Sequence, residues 1–414
     1  MSLFVPTDGI LNTYVTWDDL QESVFEAFGK DAKLGPKKAV KDAGKKNGVY
    51  SKICLITPDW SGDAHGLPET FAVKICSLLT LAESKADMGD LGAFASEEFV
   101  NSMEGYLKTI HNTEVRLYKV LKQHGTDIPL PKVYFSQEFT EENPLKGYII
   151  MDYINDGETF HIIDNLTPEL LLEPLKALAK LEAVSLKFNV EEHALFANNP
   201  TIAAFSQFFS KEAIGGMVTM LHALAGEKLA DTVDTLERIG GELFDPALLE
   251  SLPEKLGMKR VLCHGDFWSG NLIWKQGAGA LELAAVVDLQ MAHYGSPSTD
   301  MVRLLCSSLS GKDRRENWES LLEKFYSFLQ KEIDGEEMPY TIDMLKRDYR
   351  SYFPLGAIMH VMVIGMMFQR VNTDADIVDK AKAMGVLTEK LGAILEDVCE
   401  VHKYNKENPI QLPN

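Results

Sequence analysis

The sequence predicts an α+β fold of two lobes: a small antiparallel-sheet part over residues 1–154 and a larger, mainly helical part over residues 155–414. Three observations carry this expectation. Short β-rich runs bounded by turn residues fill much of the first part. After Asp156-Gly157 the apolar residues fall at helical spacing over long stretches. A chain of 414 residues, 45% apolar and 25% charged, is also long enough to bury two substantial cores.

Taken in order, Thr16 followed by Asp19 has the form of an acidic capping box and opens a short helix ending near Gly29. Ile53–Thr57 and Thr70–Cys76 are β-rich runs separated by a Trp-Ser-Gly-Asp loop, which predicts an antiparallel pair. Glu97–Gln123 reads as a long helix with Gly105 as a candidate break. Val133–Gln137 and Gly147–Tyr153 add two strands. Beyond them, Pro168–Phe188, Thr201–Leu224, Glu316–Ile333, Met344–Phe368 and Asp374–His402 carry helical periodicity. Arg260–Cys263, Leu272–Trp274 and Leu283–Leu289 are the strand-like segments there. No internal repeat, low-complexity segment or long linker is visible.

Composition narrows the function classes. A formal net charge of −20 opposes non-specific association with nucleic acid or anionic membrane, so neither is expected as a partner. The five cysteines are far apart and form no C-x-x-C pair, which predicts buried free thiols in a reducing compartment. The N-terminal residues lack a basic segment followed by an apolar core, so no signal peptide is expected. Leu355–Phe368, the most apolar run, is too short to span a bilayer. A cytoplasmic location is the corresponding expectation.

The chemistry concentrates in Cys-His264-Gly-Asp266-Phe-Trp-Ser269-Gly-Asn271, set between two strand-like segments. Phosphoryl transfer from ATP needs a carboxylate to orient the attacking hydroxyl and accept its proton, and oxygen ligands for Mg²⁺. In H-x-D-x-x-x-x-N the Asp serves the hydroxyl and the Asn reaches back to metal, which assigns Asp266 and Asn271. Ser269 and Gly270 allow the tight turn between them. Asp288, at the end of Ala-Val-Val-Asp-Leu-Gln, supplies a second hard oxygen ligand at a strand terminus. Alone, the His-Gly-Asp tripeptide is also an ordinary turn with Asp266 as a turn acceptor. The offset of Asn271 and the downstream Asp288 are what tip it toward catalysis.

Phe71-Ala-Val-Lys74-Ile places a lysine in an apolar strand, where an unpaired ammonium is costly. A glutamate from the following helix would hold it toward the α/β-phosphates, and Glu114 is the best placed, with Glu104 as the fallback. An exposed edge-strand lysine and a solvated glutamate are the plain alternative. Gly44-Lys-Lys-Asn-Gly48-Val-Tyr-Ser51 could wrap the β/γ-phosphates, although its spacing equally suits a hairpin turn. Met151, Asp152 and Tyr153 lie where an interlobe hinge would meet adenine, or where a plain core strand would end.

His264-Gly-Asp266-Phe-Trp-Ser-Gly-Asn271 followed by Val-Val-Asp288-Leu-Gln resembles the aminoglycoside phosphotransferase and choline kinase superfamily. More narrowly, it resembles the CHK kinase-like group of nematodes and insects that includes the ecdysteroid kinases. Asn47-Gly48-Val-Tyr-Ser51-Lys, Pro58-Asp-Trp60, His111-Asn-Thr-Glu114-Val, Gly147-Tyr-Ile-Ile-Met-Asp152-Tyr and His293-Tyr-Gly-Ser-Pro-Ser-Thr-Asp300-Met-Val-Arg303-Leu carry the narrower likeness. The resemblance implies a protein-kinase-like fold, ATP as donor, Mg²⁺, and a small hydroxylated acceptor. It also implies that Asp300 and Arg303 are scaffold residues bracing the catalytic loop. The glycine-rich loop is not of protein-kinase type and no Ala-Pro-Glu segment ends an activation loop, so a protein substrate is not expected. A choline or ethanolamine kinase is the nearest rival, with Trp318, Tyr326, Tyr349, Tyr352 and Phe353 as cage candidates. A steroid- or glucoside-like acceptor would instead suit the Met359, Met362, Met366 and Met367 helix, if that helix is not simply core. A pseudokinase that binds nucleotide without turnover is the alternative of another class.

Overall fold

The computed structural model describes residues 2–44, 50–62, 64–82, 97–200, 211–225, 229–243, 245–374 and 376–410. The chain divides into two compact units, Met1–Gln123 with Leu130–Asp156, and His124–Pro129 with Gly157–Asn414. The first is built on an antiparallel sheet and the second is mainly helical, which is the α+β class expected.

The sheet of the first unit contains β1 (Ala39–Asp42), β2 (Ser51–Thr57), β3 (Phe71–Cys76), β4 (Val133–Gln137) and β5 (Tyr148–Asp152), in the order β1-β2-β3-β5-β4. Every pairing is antiparallel. α1 (Trp17–Phe28) opens with the Thr16–Asp19 capping box and ends before Gly29. It buries Leu20 and Val24 with Ile56, Phe71, Val73 and Ile150 in one apolar core. α2 (Glu97–Gln123) runs through Gly105 without a break. Two polar clamps fasten it near the end of β4. The His111 ring meets the Gln137 carbonyl at 2.9 Å, and Asn112 exchanges two bonds with the backbone of Phe139. Burial pushes His111 down to about 4, so its ring is neutral and Nε2 carries the proton donated to Gln137.

The second unit contains α3 (Leu172–Ser185), α4 (Val190–Ala194), α5 (Lys211–Ala225), α6 (Ala230–Leu243), α7 (Pro246–Leu256), α8 (Ser298–Ser308), α9 (Gly311–Ile333), α10 (Ile342–Thr373) and α11 (Lys380–Glu407). Of the predicted helix Thr201–Leu224, residues 201–210 lie outside the described set. Two small sheets complete the unit, β10 (His293–Gly295) on β7 (Val261–Cys263), and β6 (Glu158–Thr159) on β8 (Leu272–Gln276) on β9 (Leu281–Val286).

α10 corrects one expectation. The apolar run that looked too short to cross a membrane belongs to a 32-residue helix that is long and apolar enough by length and composition. Within its most apolar window 72% of the helix is buried inside the protein, the behaviour of a core helix. Pro354 lies inside it and has no N–H for the carbonyl of Arg350 four residues earlier. Asn405 of α11 supplies the missing donor, its Nδ2 reaching Arg350 O at 2.8 Å. All five cysteines are free thiols. Burial holds Cys54 and Cys306 up at about 12 and 11, which leaves both protonated and unreactive.

Candidate functional site

In the sheet unit, β3 lies between β2 and β5, and each of its six residues is buried, Lys74 included. The edge-strand alternative for Lys74 is therefore removed. Its ammonium meets Glu114 Oε2 at 2.5 Å, and the Glu114 side chain is 1% exposed. Val115, Leu117, Tyr118 and Leu121 are buried on the same helix and set its inward face. Glu104, the fallback partner, is engaged elsewhere, accepting from Ser2 Oγ at 2.7 Å and pairing with Lys108 at 3.1 Å. Ser51 is buried at the head of β2 opposite Cys76, whereas Gly48 lies outside the described residues. Met151 of β5 pairs with Ala72 of β3. Asp152 gives its N–H to Lys132 O and accepts the Tyr134 hydroxyl, so its carboxylate braces β4, and half-buried Tyr153 follows the strand.

In the helical unit, the loop after β7 folds back tightly. Gly265 has φ +80°, and a Cβ there would lie 2.1 Å from Met291 O, so only glycine fits. Asp300, in the first turn of α8, accepts the N–H of His264 at 2.7 Å and that of Gly265 at 2.8 Å, one on each oxygen. His264 Nδ1 accepts the Asp266 N–H at 3.2 Å, which leaves Nε2 protonated to donate to Val287 O at 3.0 Å. Val287 returns its own N–H to Asn271 O at 3.0 Å. The loop bearing Asp266 and Asn271 is thereby stapled to the segment bearing Asp288. Asp288 itself sits in the left-handed region at φ 69°, and its Oδ2 accepts from Gln290 at 3.3 Å. Such strained backbone clusters at functional sites.

The Asp266 carboxylate is held on both sides. Arg303 Nε donates to Oδ1 at 2.6 Å, and Asn271 Nδ2 donates to Oδ2 at 3.1 Å and to the Asp266 carbonyl at 2.9 Å. Arg303 therefore touches the carboxylate directly, a closer role than the bracing the sequence suggested. Because Asn271 spends its amide nitrogen on Asp266, its carbonyl oxygen is the end left for a cation. Asp266 keeps 18% of its side chain accessible, yet the dense surroundings raise it from its ordinary carboxylate value. Burial is the main cause, Arg303 opposes it, and the neighbouring Asp288 charge adds to it. Burial likewise pushes Asp300 up to about 7 against the pull of its two N–H donors.

Ser269 is buried in the turn, and its N–H donates to Ser307 Oγ at 3.2 Å. His360 of α10 meets the Arg303 carbonyl at 3.2 Å. Neither Ser307 nor His360 stood out in the sequence, since a buried serine and a histidine in an apolar helix leave no spacing signature.

Four of the five aromatic residues considered for an ammonium cage are otherwise engaged, and Tyr326 is half-buried. Trp318 stacks on Tyr349 at 5.1 Å, the Arg350 guanidinium lies 4.7 Å from the Trp318 ring, and Tyr349, Tyr352 and Phe353 are buried. The methionines of α10 divide. Met367 is core, Met359 and Met362 are half-buried, and Met366 is 59% exposed.

This is an α+β fold in which the His-Gly-Asp loop and the segment bearing Asp288 are stapled together in one unit. Over residues 3–406 the chain matches the model of DUF1679, described as "Uncharacterized oxidoreductase dhs-27", and it belongs to that family. It is 24% identical over 261 residues to the Caenorhabditis elegans "Uncharacterized kinase-like protein D1044.1", covering 60% of this chain and 63% of that protein. It is 24% identical over 330 residues to "Uncharacterized oxidoreductase dhs-27" of Caenorhabditis elegans, covering 76% of this chain and 37% of that protein. The chain thus spans less than two thirds of either relative. Among solved structures it is similar to choline kinase from Cryptosporidium parvum Iowa II, at 14% identity over 91% of this chain and 92% of that chain, with a TM-score of 0.46.

Proposed function

We propose that this protein is an ATP- and Mg²⁺-dependent kinase that phosphorylates a hydroxyl of a small metabolite or xenobiotic, with a steroid- or glucoside-like acceptor favoured. The observation that carries the reading is the Asp266 carboxylate, fixed by Arg303 and Asn271 and tied through His264 and Val287 to Asp288. In the reaction, Asp266 accepts the proton of the acceptor hydroxyl as its oxygen bonds to the γ-phosphorus, and the bond to the β,γ-bridging oxygen breaks to release ADP. Burial raises the Asp266 carboxylate from its ordinary value, which makes it a stronger proton acceptor. Mg²⁺, when bound, neutralises charge on the phosphate oxygens. The Asn271 carbonyl and the Asp288 carboxylate are the hard oxygen donors it prefers. Lys74, held by Glu114, would position the α/β-phosphates, with His264, Ser269, Asp300 and Arg303 supporting the loop. Gly48 and Ser51 would cover the phosphates, and Met151, Asp152 and Tyr153 would meet the adenine.

The narrower likeness to the CHK kinase-like group, a division of labour at residues 154/155, and a cytoplasmic location belong to the same reading. The half-open methionine face of α10 offers an acceptor an adaptable apolar wall. That helix reaches the catalytic loop through His360 and Arg303. Choline or ethanolamine is the less favoured acceptor, because Arg350 already sits over Trp318 and Tyr349, Tyr352 and Phe353 are core.

The test is a mass-spectrometric screen of the purified protein with Mg²⁺-ATP and a pool of choline, ethanolamine, aminoglycosides, sterols and glucosides. A product heavier by one phosphoryl group, absent with Asp266→Ala, is expected. Tight nucleotide binding with no product from any acceptor class would favour the pseudokinase instead.

A further inference from the structure

α11 carries an unusual core residue. Leu387, Leu391 and Ile394 form its buried stripe, and Lys390 falls within that stripe with no exposed surface. A buried ammonium demands partners, and Lys390 Nζ has two backbone carbonyls, Ser307 O at 2.6 Å and Asp164 O at 2.8 Å. Both acceptors belong to elements that touch the catalytic loop.

Ser307 lies in the last turn of α8, where helix carbonyls lack intrahelical donors and a cation is favoured. Its hydroxyl accepts the N–H of Ser269 at 3.2 Å. Asp164 closes the turn after β6, accepting the His161 N–H at 2.8 Å on its carboxylate. The His161 ring stands edge-on to Trp268, with centroids 5.2 Å apart and planes at 88°. Leu166 then donates to Ser308 O at 2.7 Å, joining the same turn to the same helix end. Trp268 is fixed from the other side too, since a Cβ on Gly270 would fall 2.5 Å from its ring.

We propose that Lys390 is a positioning residue for the catalytic loop, clamping the α8 terminus and the 161–166 turn so that Ser269 and Trp268 are held from both sides. It acts through other residues and touches none of the proposed reacting groups. Its effect on turnover rests on the kinase reading above, whereas its effect on loop order does not. The lysine suits the role because its neutral and charged forms both have hydrogens enough for two carbonyls, and burial brings it down to about 7.

The experiment is hydrogen exchange by mass spectrometry on the full chain, wild type against Lys390→Met, following peptides spanning 160–166 and 264–272. Both peptides should exchange about tenfold faster in the variant, with the five-stranded sheet unchanged. A folded Lys390→Met protein with wild-type exchange in both peptides overturns the proposal. Should that variant not fold, Ser307→Ala removes only the hydroxyl facing Ser269, and unchanged exchange at 264–272 overturns it equally. In a phosphoryl-transfer assay Lys390→Met should lower kcat about tenfold and leave the KM for ATP within twofold. If the wild type transfers nothing, the kinase reading fails and exchange still decides the clamp.

Discussion

Lys74 and Asp266 are both charges set in largely buried surroundings, and the two units hold them by different means. Lys74 is secured side chain to side chain, a strand ammonium against a helix carboxylate at 2.5 Å. Asp266 is secured through the backbone as well: Asp300 on two loop amides, His264 on a third, and Val287 closing back on Asn271. A direct pair depends on two residues and fails when either is lost. A lattice spreads the constraint, so removal of one member weakens the geometry without leaving the central charge alone. Breaking each design should therefore give different readouts.

The largest effect is expected at the chemistry. Asp266→Asn should lower phosphoryl transfer by about 10²–10⁴-fold, the usual contribution of a positioned base. ATP affinity by calorimetry should move no more than about twofold, because such a base acts on the acceptor hydroxyl. Lys74→Met should do the reverse, weakening ATP binding most. Wild-type turnover in Asp266→Asn would remove that residue from the base role.

Next comes the direct pair. Glu114→Ala removes the carboxylate that the buried Lys74 ammonium meets at 2.5 Å and should destabilise the sheet unit by up to about 3–5 kcal/mol in urea unfolding. The Lys74→Met/Glu114→Ala double variant should recover much of that loss. A cost below about 1 kcal/mol for Glu114→Ala would show that water reaches Lys74 and that the pair is not a buried one.

The lattice should respond less. Asp300→Asn keeps one acceptor for the two amides of His264 and Gly265, orphaning one buried N–H at about 1–3 kcal/mol. Turnover should fall with it while ATP affinity holds. If Asp300→Asn proves as damaging to stability as Glu114→Ala, the contrast between pair and lattice is wrong.

The two designs also differ in how readable they were. Lys74 stood out because a charge interrupts an apolar strand, and the helix that follows contains Glu114, which meets it. His264, Asp266 and Asn271 stood out because loop chemistry needs those residue types at fixed offsets. The supports did not. Ser298–Ser308 buries serines, a threonine and Asp300 alongside its apolar residues, so polarity no longer marks its inner face and the helix escaped notice. Ala39–Asp42 is a half-exposed edge strand with no apolar run to announce it. Lys390 did not stand out either, since its partners are carbonyls, which every residue has. Backbone-mediated constraint leaves little trace in side-chain pattern.

The smallest effect separates the units by pH. In the sheet unit, His111 is pushed from 6.5 down to about 4 by burial. The unfolded chain then binds more protons between those values, so the His111 contribution is complete above about 6.5 and lost as pH falls toward 4. In the helical unit, burial pushes Asp348 from 3.8 up to about 6 despite the hydroxyls of Ser296 and Ser298. There the folded state binds more protons, so the Asp348 contribution is complete below about 3.8 and lost as pH rises through 6. Urea unfolding of His111→Gln and Asp348→Asn at pH 4.5 and pH 7 checks both signs. Relative to wild type, His111→Gln should look better at the lower pH and Asp348→Asn better at the higher. A shift of both variants in the same direction would mean that one of these two groups is solvated in the folded protein, and the variant that departs from its expected sign identifies which.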